Sequence, residues 1–468
     1  MPAIENMNIK YKIMSRCILS IVIQVFFGIS VLFAQQEQSY DPWIWVSEPP
    51  EDCPFEQSTE IVGVALTENY RHYKLENGFS FADTWYPTWA ANDTMYSPWT
   101  DGRCPRLDGS WDHSQSGHLN YDKEQVYTNE GKIGMQATTG QAVMVGDDPL
   151  NMHIYSLGKY NGDPAPYNGR YPCGSLLYNG VWYYGTYCLA PAGTANIGGF
   201  DYNWPWLGPL VGFRTSTDYG ISWQDTPHTP ENSLFGETGM WGYPVKMGAP
   251  HFVDFGKNME HSPDGKAYLV GMGAEVNDLM PRDANLSWIS GDQIYMCRVT
   301  PSIQNINDMS KYEYFGGHDT NGNPIWTVDF KEIKPLVDWN NNCGCVTMTY
   351  NAPLKKYLLT ITDGWPTVAK MNSYILESDN ITGPWKLVSY MKDFGEQAYF
   401  LNFPGKFISE DGEKLWLCYS GNFATGWNDM WIKSNPPGSA YGLVMQEMIL
   451  LDKKSYKKYL DNPAPETN

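Results

Sequence analysis

Two aspartates eighteen residues apart, Asp83 and Asp101, stand on either side of a segment that reads as a hairpin. Phe79 to Trp85 and Met95 to Trp99 have the aromatic-rich make-up of strands, and between them Ala91-Asn92-Asp93 is a polar turn. Folding the segment about Asn92 sets Asp83 opposite Asp101, and directly paired residues of antiparallel strands hold their Cβ atoms about 5 Å apart. Like charges at that spacing destabilise a sheet. They are useful only where proximity drives two carboxyl groups to different protonation states, one keeping its proton and one ionised. Acid-catalysed cleavage of a glycosidic bond requires such a pair. Two solvated loop acids are the plainer alternative, and Pro87 and Pro98 loosen the register.

Other groups are candidates for supporting roles. Glu260, in Asn258-Met259-Glu260-His261, couples an acid to an imidazole just before an Asp-Gly turn. His251 heads an apolar strand, where a neutral imidazole is a base near neutral pH. Arg170 and Tyr171 join a guanidinium to a phenol ahead of a hairpin strand, and either Arg170 or Arg214 suits a carboxylate or sugar hydroxyls. Asp254, Asp292, Asp363 and Glu396 lie near strand ends, where binding residues collect. Trp85, Trp99, Trp288 and Trp365 sit beside polar residues, the setting of a platform for a sugar ring, with packing between sheets expected to claim part of the set. Asp147 and Asp148 offer a partial calcium site, far short of a full oxygen shell, so loop stabilisation is the simpler role. No cofactor is otherwise required.

The elements that must hold these residues are strands. The 44 glycines, 32 prolines, 32 tyrosines and 19 tryptophans leave no run rich in Ala, Leu, Glu and Lys from which to build long helices. Leu176 to Tyr184 reads as strand, Asn179-Gly180 turn, strand. Asp264-Gly265 and Asp411-Gly412 each introduce an alternating strand in the same way, so repeated units are expected. No low-complexity tract divides the chain. A single all-β domain of this size buries its sheet edges best by closing on itself, which predicts a closed, repetitive β architecture. Glu377 to Trp385 resembles the blade turn of five-bladed glycosidase propellers, which implies a five-bladed β-propeller, with seven compact blades as the alternative.

The first 34 residues read as an address. Lys10, Lys12 and Arg16 precede an apolar run from Cys17 to Phe33, and Ala34 suits cleavage, so a signal peptide and a secreted or periplasmic domain over 35–468 are expected, with no membrane span in the mature chain. That segment holds three bases and one acid, so its loss moves the formal charge from −20 to −22. Such a field repels phosphate backbones and argues against a nucleic-acid partner. Of nine cysteines, eight remain after Cys17 is removed; Cys53 with Cys104 and Cys173 with Cys188 are candidate disulfides, while Cys343 and Cys345 suit buried strand positions better than zinc.

Several stretches carry a family likeness. Asp83-Thr84-Trp85-Tyr86-Pro87-Thr88-Trp89-Ala90, Tyr96-Ser97-Pro98-Trp99-Thr100-Asp101-Gly102, Ser290-Gly291-Asp292-Gln293-Ile294-Tyr295, Tyr350 to Leu358 and Trp416 to Gly421 together resemble secreted bacterial five-bladed propellers of the glycosidase type, nearest to a largely uncharacterised family that includes arabinan-degrading enzymes. The resemblance implies a glycoside hydrolase acting on an oligo- or polysaccharide, with Asp83 and Asp101 as acid and base. Ser216 to Trp223 is similar to the Asp-box of sialidase-like propellers, which keeps the seven-bladed form in view. Two further functions fit the residues. In a polysaccharide lyase, His251 or Tyr171 takes a proton beside a uronate carboxylate held by Arg170. A non-catalytic glycan-binding propeller keeps the tryptophans and needs neither aspartate.

Overall fold

Strands of this chain are buried along both faces, as in Leu207–Ser216, where all ten residues are buried. A sheet of that kind needs a neighbour on each side, and a ring of sheets standing face to face supplies one. The computed structural model describes residues 42–460 apart from 76–77, 80, 118–126, 129–130, 133–136, 168, 190–194, 198–199, 203–206, 240–242, 277–286, 365–370 and 422–434. These residues form five antiparallel sheets arranged as a five-bladed β-propeller, with three two-stranded hairpins beside them.

Blade 1 is built on Met95–Pro105, flanked by Phe81–Asp83 and Thr88–Trp89 on the inner side and by Trp111–Ser114, Ala137–Val145 and His153–Gly162 on the other. Blade 2 holds Gly169–Tyr178, Val181–Leu189 and Leu207–Ser216. Blade 3 runs from Gly248–Phe252 through Ala267–Gly273 and Gln293–Val299 to its outer strands, and blade 4 comprises Val346–Asn351, Lys356–Asp363, Asn372–Ser378 and Lys386–Met391. In blade 5 the two ends of the chain meet, because Gly63–His72 pairs with Val444–Leu451. That closure leaves the ring no open edge.

Polar side chains and backbone groups tie one blade to the next. Asn402 Nδ2 donates to the Trp85 carbonyl at 3.0 Å, the Leu177 N–H to Thr88 Oγ1 at 3.0 Å, the Asp254 N–H to the Met348 carbonyl at 2.9 Å, and Thr347 Oγ1 to the Leu401 carbonyl at 2.7 Å. The inner strands are irregular in a recurring way. Pairing shifts register between Phe81 and Asp83, Pro172 and Ser175, Gly248 and His251, and Tyr399 and Asn402, in four of the five blades. A bulge turns side chains that would otherwise point at a neighbouring strand.

The expected hairpins are present. Tyr178 pairs with Val181 around Asn179-Gly180, and the Asp264 and Asp411 carboxylates each accept the N–H two residues on. Asp218 accepts the Ser222 N–H at 2.9 Å, and Trp223 packs against Trp182 with ring centroids 5.2 Å apart. Among the described residues the α-helix is a single short one, Lys453–Tyr459, and none is long and apolar enough to cross a membrane. The candidate disulfides are absent: Cys53, Cys104, Cys173 and Cys188 are free thiols, and all but the half-buried Cys53 lie fully within the core. Residues 1–34 lie outside the described part.

Candidate active site

The hairpin that carries both aspartates turns where its polar residues lie, with the Ala90 N–H on the Thr94 carbonyl. Thr88 faces Tyr96 and Trp89 faces Met95, and Phe81 faces Arg103 farther along, which keeps the register expected from folding about Asn92. Between those points the partner of Asp83 is Thr100, not Asp101. Asp101 and Gly102 together stand opposite Ala82, so Asp101 is the extra residue of a bulge, with a left-handed backbone at φ 52°. A β-carbon there is strained, and such strain persists where the surroundings enforce it. Thr84, beside Asp83, is left-handed too, at φ 64°.

The bulge does what direct pairing was expected to do. Asp83 is only 8% exposed, and the negative charge of Asp101 adds to burial in holding its carboxyl well above the usual carboxylate range. Asp101 is partly exposed, and burial raises it to about 6 against two donors from Ser116. Those donors are the Ser116 N–H, 2.7 Å from Oδ1, and the Ser116 hydroxyl on Oδ2. Around Asp83 the contacts are hydroxyls alone: Thr84 Oγ1 at 2.7 Å, Tyr399 Oη at 2.7 Å, and Tyr441.

These partners decide where a shared proton sits. A main-chain N–H can only donate, so Ser116 selects an ionised Asp101. Hydroxyls can reverse roles. Tyr441 has one hydroxyl hydrogen, and the Asp101 carbonyl at 2.6 Å takes it. Tyr441 bonds Asp83 as well, and with burial and the Asp101 charge raising Asp83 well above the usual range while Asp101 rises only to about 6, Asp83 is the member of the pair that keeps a proton.

Tyr171 reaches the same group, close enough for its charge to act on Tyr441. Arg170 does not, since successive residues of a strand face opposite sides. Its N–H donates to the Ser116 carbonyl at 2.9 Å while its Nε turns away to Thr186 Oγ1 at 2.9 Å. Trp288 lies against Tyr399 with ring centroids 5.1 Å apart. Tyr399, Tyr441, Ser116 and Thr84 were not anticipated. Ser116 and the tyrosines come from distant segments, and a positive φ at the β-branched Thr84 has no local signal.

Several expected site residues stand elsewhere. Trp85 and Trp99, 1% and 0% exposed, fill the core between blades 5 and 1 beside Trp416 and Met445, so they are not surfaces for a sugar. His251 lies in the channel against Tyr86, ring centroids 3.7 Å apart, three residues farther down the inner strand from Asp83. Burial drops its imidazole to about 3, which makes it neutral but a poor base. Glu260 has a side chain 51% exposed and pairs with His261 at 3.7 Å. Its neighbour Lys257 bonds Asp93 at 2.9 Å, at the hairpin turn, eight residues and about 26 Å of chain away from Asp101. Asp292 accepts the Asn341 N–H at 2.7 Å, and Asp363 lies buried beside Asn372; both hold strand ends in place. Trp365 lies outside the described residues. Asp147 pairs with Lys406 at 2.6 Å and Asp148 accepts the Leu150 N–H at 2.9 Å, so this turn is tied by its own contacts. Among the described residues no three His, Cys, Asp or Glu side chains gather as a metal site.

No protein-family model and no curated protein matches this chain. Solved structures do. A GH43_1 enzyme from Xanthomonas citri aligns over 78% of this chain and 87% of its own at 11% identity, with a TM-score of 0.41. The RS223 β-xylosidase aligns over 81% and 94% at 12% identity, TM-score 0.39, and an exo-1,5-α-L-arabinanase from a bovine ruminal metagenomic library over 80% and 94% at 13%, TM-score 0.37. Similarity this distant carries no argument, and the five-bladed propeller rests on the strands themselves.

Proposed function

We propose that this chain is a glycoside hydrolase acting on an oligo- or polysaccharide, with Asp83 as the proton donor and Asp101 as the ionised partner. One observation carries the reading: two carboxyl groups lie close enough for the charge of Asp101 to raise Asp83, and their bonded partners are hydroxyls and a main-chain N–H. Protonation of a glycosidic oxygen needs an acid still protonated near neutral pH, and attack at the sugar carbon, directly or through water, needs a carboxylate beside it. Asp101, at about 6, is largely ionised at pH 7.

The lyase alternative is less well supported, because Arg170 turns to Thr186 while Tyr171, next along the strand, lies toward Tyr441. Export belongs to the same proposal, with residues 1–34 removed as a signal peptide and the enzyme meeting its glycan outside the cytoplasm. Digestion of a panel of neutral and uronate-containing glycans, followed by mass spectrometry and ultraviolet absorbance, tests the reaction. Reducing ends without a new chromophore support hydrolysis. Unsaturated products, or no products from any glycan together with tight binding, overturn it.

A further inference from the structure

Behind the strand that carries Arg170, between blades 1 and 2, lies a second cavity lined by Thr139, Tyr160, Arg170, Thr186, Arg214 and Asp225. Arg214 is 2% exposed. One of its nitrogens, Nη2, donates to Gln141 Oε1 at 3.2 Å, while buried Nε and Nη1 have no partner. Its guanidinium carbon lies 3.9 Å from the centre of the Tyr184 ring, 4.4 Å from Tyr160 and 4.5 Å from Trp223. Rings stabilise the charge but accept no in-plane N–H. Arg170 enters the same cavity, spending Nε on Thr186 Oγ1 and Nη1 on the Asp163 carbonyl at 3.5 Å. The two positive charges oppose each other, and burial brings Arg214 down to about 10.

The one carboxylate at the rim is no substitute. Asp225 is exposed, it forms no ion pair with either guanidinium, and its bond is with the Tyr160 hydroxyl. An unpaired buried guanidinium is costly, and the usual remedy is an anion or an acceptor at hydrogen-bond distance. The cavity has room for about one water-sized body, which excludes a sugar acid or a phosphate.

We infer that this cavity is a binding site for a single halide ion, chloride in its natural setting, held by Arg214 and Arg170. The site does not depend on the proposed glycosidase activity. It does adjoin that activity, because the Arg170 N–H holds the Ser116 carbonyl and Ser116 in turn holds Asp101.

The test uses the whole protein exchanged into chloride-free gluconate buffer. Thermal melts against sodium bromide, sodium chloride and sodium acetate are compared with crystals grown in bromide and measured at the bromine absorption edge. The expected result is a saturable rise in melting temperature with bromide and chloride but not acetate, and an anomalous peak between the two guanidinium groups. Arg170→Gln should weaken the halide response at least about tenfold. Arg214→Met disturbs a fully packed position, so Arg170→Gln carries the argument. A melting temperature indifferent to halide, bromide density absent from the cavity with only water there, or an acetate response equal to that of bromide overturns the assignment.

Discussion

Two of the places where the molecule buries acids do so differently. On blade 4, Glu377 is buried around the ammonium of Lys356, which lies 3.2 Å from Glu377, 2.8 Å from Glu60 and 2.7 Å from Asp379. In the hollow of blade 1, Asp83 and Asp101 face each other with hydroxyls and one main-chain N–H. A cation neutralises the first cluster and makes it a strut between the N-terminal segment and blade 4. In the second, the only positive charge on hand is a proton. A buried acid with a lysine is structure, whereas a buried acid whose counter-charge is a proton has that proton to give.

The contrast breaks most sharply by substitution. Asp83→Asn and Asp101→Asn should each lower turnover on the order of 10³-fold, since general acid–base catalysis contributes that much. Lys356→Met should leave turnover intact and lower stability by about 3 kcal/mol, because Glu377 is left buried without its partner. Steady-state kinetics beside chemical denaturation separate the two. Normal activity in both aspartate variants would sink the assignment of the pair.

Stability sharpens it next. Asp101 rises from 3.8 to about 6 on folding, so the folded state binds its proton more tightly than the unfolded chain. The stability this gives is complete below about pH 4 and lost as pH climbs through about 6. Asp101→Asn escapes that loss, and at pH 7 it should be more stable than the parent by up to about 3 kcal/mol. The gain should vanish at pH 4. Melting curves across this range decide; a difference that does not change with pH contradicts a raised Asp101.

Much of this was legible in the residues, for reasons that can be named. Turn chemistry is local, so Asn179-Gly180, Asp264-Gly265 and Asp411-Gly412 marked their hairpins, and folding about Asn92 brought Asp83 and Asp101 together. The bulge at Asp101 was not legible, because φ 52° at an aspartate is imposed by the blade and favoured by nothing in its neighbours. Trp85 and Trp99 show the opposite failure. Their polar neighbours suggested a surface, but at the inner end of a blade those neighbours face the channel and the indoles face the adjoining sheet. Tyr399 and Tyr441 come from the far end of the chain, and only ring closure brings them to blade 1.

Tyr441 offers a finer test of where the proton lies. If Tyr441 accepts from a protonated Asp83, Tyr441→Phe removes that acceptor and makes the proton easier to lose. Turnover should fall about tenfold, the worth of one hydrogen bond of this kind, and the alkaline limb of the rate profile should move to lower pH. If Tyr441 instead donated to an ionised Asp83, its loss would move that limb to higher pH. The direction of the shift, measured as kcat/KM against pH, decides between the two.

The smallest effect belongs to Glu260. An acid beside a histidine is chemically equipped for proton transfer, but equipment without position does nothing. Glu260 stands by the hairpin turns, with Lys257 on Asp93 and Asn258 Nδ2 donating to Asn179 Oδ1 at 3.0 Å, so it belongs to the end of the propeller away from the aspartate pair. Its contact with His261 is solvent-exposed and adds less than about 1 kcal/mol. Glu260→Gln should therefore leave kcat, KM and the pH profile within about twofold of the parent, while Asp101→Asn in the same assay removes the acid limb. A large loss in Glu260→Gln would mean that the reacting sugar binds at the other mouth of the channel, and the aspartate pair would then be a strained structural feature rather than the catalytic one.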